Sequence, residues 1–218
     1  MFMICGSRRV ERHHVEPCLP RLVSYVRSGG KLVVGCARGA DALVVEAVLS
    51  AGYASQLHIF AIGGADGRGF SRGARGAPVA MIQDAAEAGA TMHWWAGGGP
   101  EVPITGRLVK RSCAAVMFTH AQGGRGVMGF VDSLPGRPWI GRGLWRSCGS
   151  GTWSTLAAAA WLGLPTYVCP VGLSFSLRVN LPTLPTADIG SWKLAQARER
   201  GLSAYRWIPE RQSSSTLF

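Results

Sequence analysis

The sequence predicts an α/β fold, a Rossmann-like three-layer sandwich in which helices cover both faces of a mostly parallel sheet. Two observations support this prediction. Short apolar segments, typical of buried strands, alternate along the chain with longer segments in which apolar residues recur at helical spacing. Glycine-rich turns also follow strand-like segments and precede helices, as the turns of parallel α/β sheets do.

Six apolar segments are predicted to be strands, with helices between them. The strands cover residues 2–5, 31–35, 57–62, 91–95, 114–118 and 166–169. The helices cover residues 15–27, 42–51, 78–88, 105–112 and 153–162. The hydroxyl of Thr152 is expected to cap the last of these helices, and Gly163 is expected to end it.

Two regions fall outside this alternation. Residues 119–147 form a glycine- and arginine-rich insertion, which either packs on itself or on a neighbouring subunit or closes over a ligand. Prolines after residue 172 indicate an extended arm, followed by a short polar helix over residues 192–200 and a frayed tail. The predicted division is therefore a domain of residues 1–172 and a C-terminal arm and tail of residues 173–218.

Amino-acid composition and net charge limit the kinds of partner that the protein can have. The chain has 218 residues, of which 47% are hydrophobic, enough for one substantial core. Its 23 lysines and arginines outnumber 12 aspartates and glutamates, and the net charge of +11 fits an anionic partner such as a nucleotide, a nucleic acid or an acidic protein surface. The six cysteines include no CxxC pair, so we expect buried thiols in a reducing compartment rather than a zinc site or disulfides.

The sequence favours a cytoplasmic protein with no membrane partner. The first apolar segment is too short for a secretion signal, and charged residues and histidines follow the pair Arg8-Arg9 where a twin-arginine signal requires apolar ones. Glycines and prolines interrupt the longest apolar stretch, residues 156–173, which therefore suits a helix, a turn and a strand better than a membrane span.

Four glycine-containing turns suggest a ligand site. Because loops at the carboxyl ends of parallel strands converge on one crevice, turns after different strands can contact the same ligand. A helix that begins in such a turn offers free backbone N–H groups and a positive dipole end to a phosphate. The predicted ligand-binding residues are Gly6, Ser7, Arg8, Gly35, Arg38, Gly39, Asp41, Arg107, Gly149, Ser150, Gly151 and Thr152.

Individual roles follow from residue type. Arg8 and Arg38 are suited to hold a phosphate by paired hydrogen bonds, and Gly39 and Gly151 would let backbone N–H groups approach it. Asp41 could accept a hydrogen bond from a ribose hydroxyl, but we favour a structural role in the first helical turn. The histidines show no metal-ligand spacing, so no metal is expected.

The stretch GCARGAD, from Gly35 to Asp41, and the turn GSGT, from Gly149 to Thr152, resemble motifs of the SLOG superfamily. This Rossmann-like group includes the DprA-type proteins and the LOG-type phosphoribohydrolases, and the resemblance covers roughly residues 1–172. It implies a nucleotide-binding domain. In LOG-type enzymes the phosphate turn reads GGxGTxxE, and the resemblance makes its glutamate part of the catalytic machinery. Thr155 occupies that position here, and a hydroxyl cannot replace the carboxylate.

Three functions are compatible with these features. The resemblance to SLOG sensor domains implies binding of a nucleotide or nucleotide-derived signal, in prokaryotic defence or stress signalling. The alternatives are a nucleotide N-glycosidase of LOG type and DprA-like binding of single-stranded nucleic acid. The missing glutamate weighs against the enzyme, and the lack of a continuous basic stripe weighs against nucleic acid. We therefore expect a small anionic nucleotide-like ligand. Homo-oligomerisation is a further possibility, through either the helix at residues 42–51 or the C-terminal arm.

Overall fold

The computed structural model describes residues 1–70, 78–171, 181–186, 189–199 and 202–210. Its strands are β1 (Phe2–Gly6), β2 (Leu32–Val34), β3 (Leu57–Phe60), β4 (Thr91–His93), β5 (Val127–Val131), β6 (Thr166–Pro170), β7 (Gly190–Glu199) and β8 (Leu202–Pro209). Its helices are α1 (Arg12–Val15), α2 (Leu19–Arg27), α3 (Ala40–Ser50), α4 (Val79–Glu87), α5 (Ile104–Ala121) and α6 (Gly151–Trp161), with a 3-10 turn at Ala54–Gln56.

The eight strands form one sheet in the order β4-β3-β2-β1-β5-β6-β8-β7. The six strands from β4 to β6 are parallel, and β8 and β7 extend the sheet antiparallel to them. The predicted Rossmann-like α/β fold with a mostly parallel sheet is thus confirmed. Strand order reverses at β1, which has β2 on one side and β5 on the other, and such a reversal opens a crevice at the carboxyl ends of the strands.

Strand residues alternate between two cores. On one face of the sheet, Ile4 of β1 packs in a cluster with apolar residues of α2, α3 and α4. On the other face, Met3 packs in a cluster with residues of α5 and α6, including the fully buried Trp153. The alternation of neighbouring residues between two buried faces is what a strand covered on both sides requires.

Helix α5 corrects one part of the predicted element order. A short helix over residues 105–112 and a strand over residues 114–118 are expected from the sequence, but one 18-residue helix covers both segments. Ala115 and Val116 are fully buried on its inner side. A short apolar run fits a buried helix face as well as a strand, so the run alone could not distinguish them.

The fifth strand lies inside the predicted insertion. β5 begins at Val127, pairs with both β1 and β6, and contains Gly129, which weakens the strand signal of its sequence. A Cβ atom on Gly129 would lie 2.9 Å from Cδ1 of Leu156 on α6, so any other residue there would force the leucine side chain to shift. The part of residues 119–147 before and within β5 is therefore regular structure and not an irregular insertion.

The C-terminal region also differs from expectation. The predicted helix over residues 192–200 is wrong, because residues up to Glu199 form β7 and pair with β8. β8 in turn pairs with β6, with Val168 opposite Tyr205, so this part of the predicted arm extends the main sheet. The predicted helix over residues 15–27 is divided into α1 and α2. The predicted tail from residue 212 lies outside the described residues.

Candidate functional site

A cavity of about 420 Å³ lies at the carboxyl edge of β1, β2 and β5, where the strand order reverses. Its volume falls within the range of roughly 300–1,000 Å³ that small-molecule sites occupy. Nine of the predicted ligand-binding residues line it: Gly6, Ser7, Arg8, Gly35, Asp41, Gly149, Ser150, Gly151 and Thr152. The turns after β1 and β2 and the start of α6 thus converge, although no contact with a ligand follows from convergence alone.

The start of α6 forms one wall of the cavity. Ser150 has an extended backbone and caps the helix, its Oγ accepting a hydrogen bond from the backbone N–H of Trp153 at 3.4 Å. The cap is therefore Ser150 and not Thr152, which is buried in the first turn. No acidic residue occupies that turn, so the positive end of the helix dipole is not offset there. This end of α6 is suited to receive an anion.

The turn after β1 is tied to the end of β5. Nε of Arg9 donates to Oδ2 of Asp132 at 2.5 Å, and Nη2 of Arg9 donates to Oγ of Ser133 at 3.3 Å. Burial raises the pKa of Asp132, but hydrogen bonds from Arg9, Ser7 and Ser133 outweigh it and lower the pKa below its usual value. Asp132 is therefore ionised at neutral pH. Arg8 is exposed and lines the cavity beside this pair.

In the turn after β2, Arg38 and Gly39 of the GCARGAD stretch are not part of the cavity lining. Gly39 has a φ of +82°, and a Cβ atom there would overlap the carbonyl oxygen of Ser7, so this glycine lets the second turn pack against the first. Arg38 is exposed and is not among the described residues that line the cavity. The structure does not bring these two residues to the cavity wall, in contrast to Gly35 and Asp41 of the same motif.

Arg107 also lies outside the cavity lining. Its side chain is buried and donates hydrogen bonds to backbone carbonyls, from Nη1 to Ile62 at 2.8 Å and to Gly69 at 2.7 Å, and from Nε to Val102 at 3.1 Å. Its guanidinium carbon lies 5.6 Å from the ring centroid of Trp95. These contacts hold the loops that follow β3 and β4, which is a structural role.

A buried ion pair between Asp41 and Arg111 lines part of the cavity, which we call the floor. Oδ2 of Asp41 accepts from the backbone N–H of Ala37 at 3.3 Å and lies 3.4 Å from Nη1 of Arg111 on α5. Burial raises the pKa of Asp41, and the nearby positive charge of Arg111 opposes that rise. These contacts with Ala37 and Arg111 fit the structural role that the sequence favours for Asp41. Both side chains line the cavity.

Several lining residues escaped the sequence prediction: Arg9, Arg111, Asp132, Ser133, Trp145 and Thr155. The sequence does contain a signal for the burial of Arg111. Leu108 lies three residues before it and Ala115 four residues after it, a spacing that places Arg111 on the apolar side of a helix. Asp132 directly follows β5, and recognising that strand would have put it at the carboxyl edge of the sheet. The hydroxyl of Thr155 donates to the carbonyl of Gly151 at 2.8 Å.

Comparison with known proteins gives one structural likeness. No protein-family model matches the chain, and no curated protein matches it. Its fold is similar to that of DNA processing protein A. The matched structure is of the Helicobacter pylori protein, described for its single-stranded DNA binding mode, with a TM-score of 0.53 and 18% sequence identity. The match covers 81% of this chain and 66% of that one. At this identity the likeness establishes a DprA-like Rossmann-type fold.

Two further features bear on partners. No helix in the described part of the chain is both long and apolar enough to cross a membrane. Among residues 1–70, 78–171 and the described segments that follow, no group of three or more histidine, cysteine, aspartate or glutamate side chains could hold a metal ion. The polar residues that converge in the cavity are instead arginines, serines, threonines, two aspartates and backbone N–H groups.

Proposed function

We propose that the cavity binds a nucleotide or nucleotide-derived ligand through its phosphate, as a sensor or regulatory domain does. The observation that carries the proposal is the convergence of the first turn and the capped start of α6 on one cavity at the reversal of strand order. Ligands of open α/β sheets bind in this crevice because free N–H groups and helix dipoles point into it.

The residues at the start of α6 suit a phosphate. Gly149 has a φ of +84°, a conformation that glycine adopts without strain, and a Cβ atom on Gly151 would meet nothing within 4 Å. A phosphate at this turn would accept from backbone N–H groups of residues 150–152, and Arg8 would add a charged donor at the mouth of the cavity. The hydroxyl of Thr155 in place of a carboxylate favours binding without cleavage of the LOG type.

A second candidate is binding of single-stranded DNA, with a backbone phosphate in the same cavity. The fold likeness to DNA processing protein A and the net charge of +11 favour it. The convergence of the turns on a single cavity favours the small ligand, since a strand also needs a continuous groove along its backbone. The two candidates differ in one measurable property, because strand binding weakens steeply with salt as counterions are released.

The test compares two exposed arginines. Arg8→Ala and Arg38→Ala remove the same charge, but only Arg8 lines the cavity. Isothermal titration with AMP, ADP and NAD should give a loss of about tenfold or more in affinity for Arg8→Ala, the scale of one charge-assisted hydrogen bond, and less than about twofold for Arg38→Ala. Chromatography of the same mixtures should show no free base.

Fluorescence anisotropy with a labelled oligo-dT across a salt series separates the candidates. Oligonucleotide binding that falls steeply with salt, without nucleotide binding, would replace the first candidate by the second. Equal losses in the two arginine variants would show that general charge, and not this cavity, is responsible.

A further inference from the structure

We infer that Arg111 is a second anion-binding group at the floor of the cavity, separate from the start of α6, and that the ligand therefore carries two anionic groups. The inference rests on the proposed function for the identity of the ligand as a nucleotide. It specifies the class as a nucleotide with a second phosphate or a carboxylate, in preference to a nucleoside monophosphate. The supporting observations concern the pairing, the space and the charge around Arg111.

The guanidinium of Arg111 is buried but poorly paired. The residue is 8% exposed, and the contact found for it in the described structure is the 3.4 Å approach of Nη1 to Asp41, longer than the roughly 2.7–2.9 Å of a good charge-assisted hydrogen bond. Nε is buried without a hydrogen-bond partner in the same part of the chain. Burying a guanidinium is unfavourable unless its donors are satisfied, so the unsatisfied donors of Arg111 indicate a missing acceptor at this part of the cavity.

Gly35, which has no side chain, leaves the space that this guanidinium occupies. A Cβ atom on Gly35 would overlap Nη1 of Arg111 and Oδ2 of Asp41. Any other residue directly after β2 would therefore displace the pair from its position beside the cavity. A glycine that admits a buried charge to a cavity wall is typical of a binding site, whereas a core position would normally be filled by an apolar side chain.

The charges in the cavity favour an anion as the missing acceptor. Three arginines line it, Arg8, Arg9 and Arg111, against two aspartates, Asp41 and Asp132. Asp132 is engaged by Arg9, and Asp41 also accepts from the backbone N–H of Ala37. The cavity is thus net positive, and a phosphate or carboxylate at Arg111 would supply oxygens in the forked arrangement that a guanidinium binds.

The test uses a variant that keeps the floor neutral. Removing Arg111 alone would leave Asp41 buried and unpaired, so the double substitution D41N/R111M removes both charges together. Lys110→Met is the matched control, because this exposed neighbour carries the same charge. Isothermal titration with AMP, ADP and inorganic pyrophosphate is run on each protein, and thermal melting verifies that each variant is folded.

The parent and Lys110→Met should bind ADP about tenfold more tightly than AMP, the free energy of one hydrogen bond to a charged group. D41N/R111M should lose that preference and its pyrophosphate binding. A parent without the preference, or a double variant that retains it, overturns the inference and leaves the proposed function standing. Arg111-dependent pyrophosphate binding without any nucleotide binding supports the anion site and overturns the proposed function.

Discussion

Gly35 shows how one residue without a side chain can determine a site. The glycine ends β2 at the point where the sheet opens into the cavity, and the volume that a methyl group would occupy holds the Arg111–Asp41 pair. Its function is therefore steric, although its position in a phosphate-type motif suggests backbone contact with a ligand. The same distinction applies to Gly39, which allows two turns to approach each other.

Gly35→Ala should displace the guanidinium and destabilise the fold. Forcing a methyl group into filled space costs about 1–3 kcal/mol, and the free energy of unfolding in urea should fall by this amount. Pyrophosphate binding should weaken at the same time. Gly136→Ala is the control, because a Cβ atom there meets nothing within 4 Å. Unchanged pyrophosphate binding in Gly35→Ala would show that the pair does not depend on this space.

We expect His58 to make the stability of the fold depend on pH. Its ring is 8% exposed and lies 5.1 Å from the ring of Phe118, with Nδ1 3.4 Å from Nε2 of His93. Burial, with smaller contributions from the positive charges of His93 and Lys31, lowers the pKa of His58 to about 4. Burial also lowers the pKa of His93. Because an unfolded histidine titrates near roughly 6.5, the unfolded chain binds more protons than the folded one between these values.

The urea midpoint should therefore fall as the pH is lowered from about 6.5 towards 4. His58→Phe keeps an aromatic ring but cannot take up a proton, so its midpoint should fall less over the same interval. The comparison is made at matched ionic strength. An identical decline in the parent and His58→Phe would assign the pH dependence to other groups.

At the scale of elements, α5 links the core to the cavity. Its 18 residues place Arg107 and Arg111, one turn apart, on a buried side, where the first holds loops and the second faces the cavity. The element was predicted as a helix followed by a strand, because the run from Ala114 to Phe118 is apolar and short. Length and local composition cannot decide such a run, since burial stabilises both conformations.

The error at α5 and the error at β5 are connected. A strand predicted before residue 119 made the true strand, with its Gly129, appear to be part of an irregular insertion. As a result Asp132 and Ser133 were not expected at the carboxyl edge of the sheet. By contrast, Gly6, Ser7 and Gly35 could be placed from the sequence, because unambiguous apolar strands precede them directly. The positions that line the cavity were thus as predictable as the strands that they follow.

For the whole molecule, the alternation of strands and helices is sufficient to predict a mostly parallel sheet, although one of its six parallel strands, β5, lies at residues 127–131 and not at residues 114–118. The sequence does not predict the antiparallel strands β7 and β8, since β7 lies at the edge of the sheet and its residue composition resembles that of a polar helix. Such a segment becomes a strand only because it pairs with another strand, and its local sequence does not show which strand that is. Whether these strands form a separate unit, as the division at residue 172 implies, is a question of cooperativity.

Trp207 of β8 tests that cooperativity. Its ring is 4% exposed, lies opposite Trp192 of β7 with ring centroids 5.3 Å apart, and packs in the same core cluster as Trp153 of α6. If the two strands unfold together with the parallel sheet, Trp207→Ala should lower the free energy of unfolding by about 3–5 kcal/mol, the cost of removing a buried aromatic ring. Leu194→Ala, on β7 and 56% exposed, should change it by less than about 0.5 kcal/mol. Urea denaturation followed by circular dichroism measures both. A single transition that shifts in Trp207→Ala and not in Leu194→Ala would show that β7 and β8 unfold together with the parallel sheet. A main transition that does not shift in Trp207→Ala would show that they unfold separately.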